Sequence, residues 1–184
     1  MKKANDVREL QVTDAEEAQL GAAVSERIRT RYGVVQDAAV HRYVALVGGA
    51  LAQASTRPAL PWTFIVLDTD GVNAFAAPGG YVHITRGALA LVQDEAELAG
   101  VLGHEIVHVT EKHTIKSIQK SKAVQMGASE TLSGSTALLE KAVTAVRSQE
   151  SDPVAVDAAL GRVGEAIASP AAAIPADAAP AVFR

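Results

Sequence analysis

No cysteine occurs anywhere in the 184 residues. That absence excludes disulfides, thiolate metal sites and a thiol nucleophile, and it leaves the redox compartment unmarked. Aromatic residues are scarce at 4% against 48% hydrophobic content, so a core must be filled by alanine and aliphatic side chains, which suits closely packed helices. Positive charge is not in excess. With a formal charge of −4 and a pI of about 5.7, there is no basic footprint to mark nucleic acid as the principal partner. No run approaches the ~18 uninterrupted apolar residues of a membrane span. The first twenty residues carry Lys2 and Lys3 but lack the apolar stretch of a secretory signal. As written, the chain reads as soluble, forming one ordinary domain or one domain with a tail.

What is present begins with helices. Thr13 and Glu16 have capping-box spacing, with Asp14 a second cap, and predict a helix through about Arg31 that Gly33 stops. Asp37 caps a second helix with an apolar stripe at Val40, Tyr43, Val44, Val47 and Leu51. Gly48 and Gly49 inside it predict a close helix contact. After Pro58 and Pro61, three strands are expected: Trp62 to Leu67, Asn73 to Ala77, and Tyr81 to Thr85. Pro78-Gly79-Gly80 breaks the last two. Gly87 to Val92 reads as a short helix, and Asp94 or Glu95 opens a long one whose core positions include Leu98, Val101, Leu102, Ile106, Val107 and Ile115. Gly127 to Ser135 reads as a flexible connection and Thr136 to Val146 as a further helix. Prolines at 170, 175 and 180 forbid a continuous helix and predict an extended or disordered tail.

The chemistry is concentrated in His104-Glu-Ile-Val-His108. Two histidines four apart on a helix differ by about 40° in azimuth and ~6 Å in rise. Their imidazoles project from one face and can meet on a single zinc ion at about 2.0–2.1 Å. Glu105 points about 100° away from His104. That offset keeps its carboxylate off the metal and beside a water held there, where a general base belongs. The plain alternative is a pair of half-buried histidines hydrogen-bonded on a helix. Context favours the metal: the helix is apolar on one flank, and Gly100 and Gly103 would let another element approach closely. His113 comes nine residues after His104 and does not complete the HExxHxxGxxH pattern. On a continuing helix it would lie about 180° from His104, which predicts a solvent or supporting role. His41 and His83 are isolated and read as structural or surface residues. The segment Asn73 to Tyr81 can leave a sheet edge free for an extended peptide, or form a plain β-turn.

Two stretches, Phe64 to Leu89 (FIVLDTDGVNAFAAPGGYVHITRGAL) and Asp94 to His113 (DEAELAGVLGHEIVHVTEKH), resemble the HtpX-like and BepA-like zinc metallopeptidases, a group that also includes CAAX-processing proteases. The resemblance covers roughly residues 10 to 125. It implies a gluzincin fold with one zinc ion on His104 and His108, Glu105 as general base, and the Asn73–Gly80 strand beside a substrate cleft. It also implies polypeptide substrates, with misfolded or misassembled proteins among them, and a bacterial periplasmic or envelope setting. The third ligand in that family is a glutamate in a pattern like Arg-x-x-Glu-x-x-x-Asp. Arg147 and Glu150 keep the first spacing, which makes Glu150 the candidate; position 154 is Val, and Pro153 stops the helix. Glu130, Glu140 and Glu165 lack even that partial match. The expectation is a family member truncated, frame-shifted or degenerate on its C-terminal side.

These readings converge on an α+β, mainly helical zincin-type domain over residues 1–150, with a small three-stranded sheet, followed by an alanine- and proline-rich tail over 151–184. The expected activity is zinc-dependent hydrolysis of peptide bonds. Its rival is a non-catalytic peptide-binding or chaperone-like module on the same scaffold.

Overall fold

Thr13 and Glu16 cap each other as their spacing predicts. The Thr13 hydroxyl accepts from the Glu16 N–H at 3.2 Å, and the Glu16 carboxylate accepts from the Thr13 N–H at 2.8 Å. They open α1, Asp14–Tyr32, which Gly33 ends at φ 75°. The computed structural model describes residues 12–124 and 136–147; the expected flexible connection, Glu150 and the tail lie outside them. Asp37 caps α2, Ala38–Gln53, by accepting from the N–H groups of Ala39 and Val40.

Three strands follow: β1 at Thr63–Leu67, β2 at Ala74–Ala77 and β3 at Tyr81–Thr85. Trp62 falls just outside the expected first strand, stacks on Phe64 and donates its indole N–H to the Arg57 carbonyl at 3.1 Å. The sheet order is β1-β3-β2, with β1 parallel and β2 antiparallel to the central β3. Helices cover both faces. Phe64 and Val66 join the core built with α2 and the later helices, whereas Ile65 and Leu67 join Val24 and Ile28 of α1. Double coverage explains why Phe64 to Leu67 are all buried, with no polar alternation.

After β3 come α3, Arg86–Leu91, and α4, Glu95–Thr110, whose cap Asp94 accepts from the Glu97 N–H at 2.9 Å. Leu98, Leu102, Ile106 and Val109 form the buried stripe of α4 against the α2 side of the sheet. The final described helices are α5, His113–Val124, and α6, Thr136–Arg147. Ile118 of α5 and Ala142 and Val146 of α6 close the core on the α1 side. Among the described residues no helix is long and apolar enough to cross a membrane.

Four expectations are corrected. The long helix does not continue through Ile115: it ends at Thr110, Lys112 takes φ +53°, and α5 restarts at His113. A left-handed lysine costs about 1–2 kcal/mol, and this one is tied to α1 by its ammonium, 2.8 Å from Glu17 Oε2 and 3.1 Å from Asp14 Oδ1. The close contact at Gly48 is with a strand rather than a helix; a Cβ there would meet the Phe64 ring at 2.3 Å, while one at Gly49 would meet nothing within 4 Å. Gly103 likewise faces open space. Val107 is not a core residue but half exposed, because it points away from the buried stripe.

Candidate active site

The stripe that buries α4 fixes where its polar residues point. Glu105 lies on the buried side of the helix and is 3% exposed, whereas His104 and His108 emerge at the boundary with solvent. Their Nε2 atoms are 3.0 Å apart, and the rings meet edge-on with centroids 4.7 Å apart. The two imidazoles thus face one point, as the four-residue spacing requires. His108 has its pKa lowered to about 4, first by burial and then by the neighbouring His104 and His113. It is neutral at pH 7, the form in which an imidazole binds a metal.

Glu105 Oε2 is buried without a hydrogen-bond partner among the described residues, and burial pushes its pKa up to about 8. A buried carboxyl left half-satisfied normally costs a few kcal/mol, so this group, adjacent in sequence to His104, is a candidate for chemistry rather than packing. Two convergent imidazole nitrogens, that of His108 neutral, are zinc-type donors and fit part of a zinc shell; a catalytic zinc takes three protein ligands. The described residues contain no group of three or more His, Cys, Asp or Glu side chains placed to hold a metal. Glu140, one of the acidic residues weighed from the sequence, is turned to the surface in an ion pair with Arg27 at 2.9 Å.

The helix break brings in a residue that the continuing-helix reading had turned away. His113 Nδ1 is 2.9 Å from His108 Nδ1, on the side of that ring opposite His104. The remaining histidines serve the scaffold. His41 Nε2 meets the Val35 carbonyl at 2.9 Å, and His83 is fully buried in β3 with Nε2 2.9 Å from Ser25 Oγ.

Sequence reasoning missed the group that locks this region together. Glu17 of α1 is 1% exposed. Its carboxylate receives Arg57 at 2.8 and 3.2 Å, the Lys112 ammonium at 2.8 Å and the Gly79 N–H at 3.3 Å. Arg57 also reaches the Val109 carbonyl at 3.4 Å. One carboxylate therefore joins α1, the turn after β2 and the end of α4. No local pattern announces it, since its partners lie 40 and 95 residues away along the chain. A small crevice beside it is lined by Ala76, Ala77, Pro78, His108 and Ile115. Of the two readings left open for Asn73 to Tyr81, the described sheet has β2 as its edge strand, and its alanines let α4 lie close against it.

Comparison with known proteins gives the same direction. The pattern of peptidase family M48 matches residues 38–170. The chain is 34% identical over 100 residues to a Vibrio cholerae protein named for beta-barrel assembly-enhancing protease, covering 54% of this chain and 21% of that one. It is 28% identical over 104 residues to the beta-barrel assembly-enhancing protease of Escherichia coli K12, covering 56% and 21%. Over 82 residues it is 34% identical to the mitochondrial metalloendopeptidase OMA1 of Schizosaccharomyces pombe, covering 45% and 24%. The matched stretch is thus about a fifth to a quarter of the length of these relatives.

Proposed function

This chain belongs to peptidase family M48, and from that premise we propose that it is a zinc-dependent endopeptidase acting through His104, Glu105 and His108. The observation that carries the reading is the convergence of the two Nε2 atoms at 3.0 Å, with a buried carboxyl holding an unsatisfied oxygen at the position next to His104 on the same helix. His104 and His108 would hold the ion, and a bound zinc supplies Lewis acidity, polarising a peptide carbonyl and acidifying water toward a pKa of ~7. Glu105 takes a proton from the attacking water and passes it to the leaving amine. Burial raises the proton affinity of the Glu105 carboxyl, the direction that suits a group taking up a proton and then passing it on. As the last strand of the described sheet, β2 is the element that would align an extended polypeptide through backbone hydrogen bonds. Misassembled polypeptides are the substrate class in keeping with the assembly-enhancing names of the bacterial relatives, and the bacterial envelope is the corresponding setting.

The test is Glu105→Gln in protein supplied with zinc. Zinc content stays at one ion per chain while cleavage of an unfolded protein such as casein falls ~10²–10⁴-fold. Cleavage that survives the substitution removes Glu105 from the mechanism. A second reading, peptide binding without turnover, is favoured by the edge position of β2. It predicts peptide binding that persists after both chelation and Glu105→Gln.

A further inference from the structure

We propose that His113 is a positioning residue that fixes the tautomer of His108, so that the Nε2 lone pair of His108 points toward His104. The proposal rests on the metal reading above, and it concerns the proton on the far side of the ring. His104, His108 and His113 form a line of three imidazoles: Nε2 to Nε2 at 3.0 Å, then Nδ1 to Nδ1 at 2.9 Å. Such a line admits two polarities. In one, His108 donates its Nδ1–H to His113 and keeps a lone pair on Nε2. In the other, His113 donates to His108 Nδ1, and the proton sits on His108 Nε2, where it would block a metal. Only the first polarity leaves His108 able to ligate through the nitrogen that faces His104; the Nε2–H that His104 then directs at His108 would move to His104 Nδ1 through solvent when an ion binds. Metal-binding histidines generally depend on such a partner for the remaining ring N–H, because it settles both tautomer and ring angle.

The placement of His113 is built rather than incidental. On an unbroken helix it would lie about 180° from His104. The left-handed Lys112, clamped by Glu17 at 2.8 Å, ends α4 and folds the chain back, so that the first residue of α5 reaches His108. The two rings then meet edge-on at 78°, with centroids 4.9 Å apart. His113 itself is exposed, so replacing it removes an acceptor without opening the core.

The experiment uses the full chain, free of metal, and long-range ¹H–¹⁵N NMR of the imidazoles. Wild type shows His108 as the Nδ1–H tautomer. His113→Ala shifts it toward Nε2–H or a mixture, and His113→Gln, whose amide oxygen can accept the same proton, restores it. A parallel competition against a chromophoric chelator reads zinc affinity, expected to fall ~10–100-fold in His113→Ala and to recover in part with His113→Gln. A wild-type His108 carrying its proton on Nε2, or a tautomer unchanged by His113→Ala, overturns the proposal. If wild type fails to bind zinc, the metal reading falls, while the tautomer comparison still decides whether His113 sets the proton.

Discussion

Acid should weaken this fold through one buried imidazole, and His83 allows the size of the effect to be worked out. It sits in the middle of the central strand, between Ile65 of β1 and Phe75 of β2 in register, and is fully buried. Nε2 shares a hydrogen bond with Ser25, while Nδ1 has no partner of ordinary geometry among the described residues. Burial lowers its pKa to about 4; the Phe75 backbone pulls weakly the other way, and the positive charge of Arg29 adds to the depression. The unfolded chain binds a proton near 6.5 and the folded chain only near 4, so the unfolded state takes up more protons between those values. Stability contributed by neutral His83 is therefore complete above pH 6.5 and lost as pH falls toward 4. Linkage puts the loss at about 2 kcal/mol by pH 5 and about 3 kcal/mol by pH 4. Urea unfolding of metal-free wild type and His83→Gln between pH 7.5 and 4.5 isolates the term, because other titrating groups cancel in the difference. The variant should be less stable at neutral pH but show the shallower loss on acidification. Parallel curves for the two proteins, or a folded-state His83 titrating near 6.5 by NMR, would show that burial does not hold this imidazole neutral.

Two further perturbations probe the frame that holds the site. A Cβ at Gly21 would come within 1.8 Å of the Pro78 carbonyl oxygen; since the obstacle is backbone, Gly21→Ala should cost at least about 3 kcal/mol, read by thermal melting, and an unchanged melting temperature would show that α1 does not press on that turn. Glu17→Gln removes the charge that Arg57 and Lys112 share and should destabilise by about 3 kcal/mol. It should also loosen His113 from His108, visible as the same tautomer shift that His113→Ala causes; a variant as stable as wild type would deny Glu17 its place as a hub.

Much of the scaffold was legible because short-range rules govern it. The caps at Thr13, Asp37 and Asp94 are local hydrogen bonds, and the strand Tyr81 to Thr85 is bounded by Gly80 and by Thr85, which itself caps α3. His104 and His108 share a face because helix geometry leaves them no choice. What escaped depends on partners distant in sequence. Nothing in Thr-Glu-Lys-His signals a helix break, since the left-handed turn at Lys112 is held by Glu17, far away in the chain. A continuing helix would put His113 about 180° from His104; the break brings it to His108 instead, exposed and in keeping with a solvent or supporting role. Gly48 marks a site of close approach in the sequence, but a glycine does not say what approaches it; in the fold it is the Phe64 ring. Val107 fits the apolar count of α4, yet the buried stripe is narrower than that count and leaves it half exposed.

His104 and His108 are proposed to present two nitrogens to one divalent ion. X-ray absorption at the zinc edge, on protein carrying one equivalent of zinc, tests this most directly. The expected spectrum shows two imidazole ligands with Zn–N distances of about 2.0–2.1 Å, one lost in His104→Ala and one in His108→Ala. A zinc shell without imidazole scattering, or one that neither substitution alters, would contradict it.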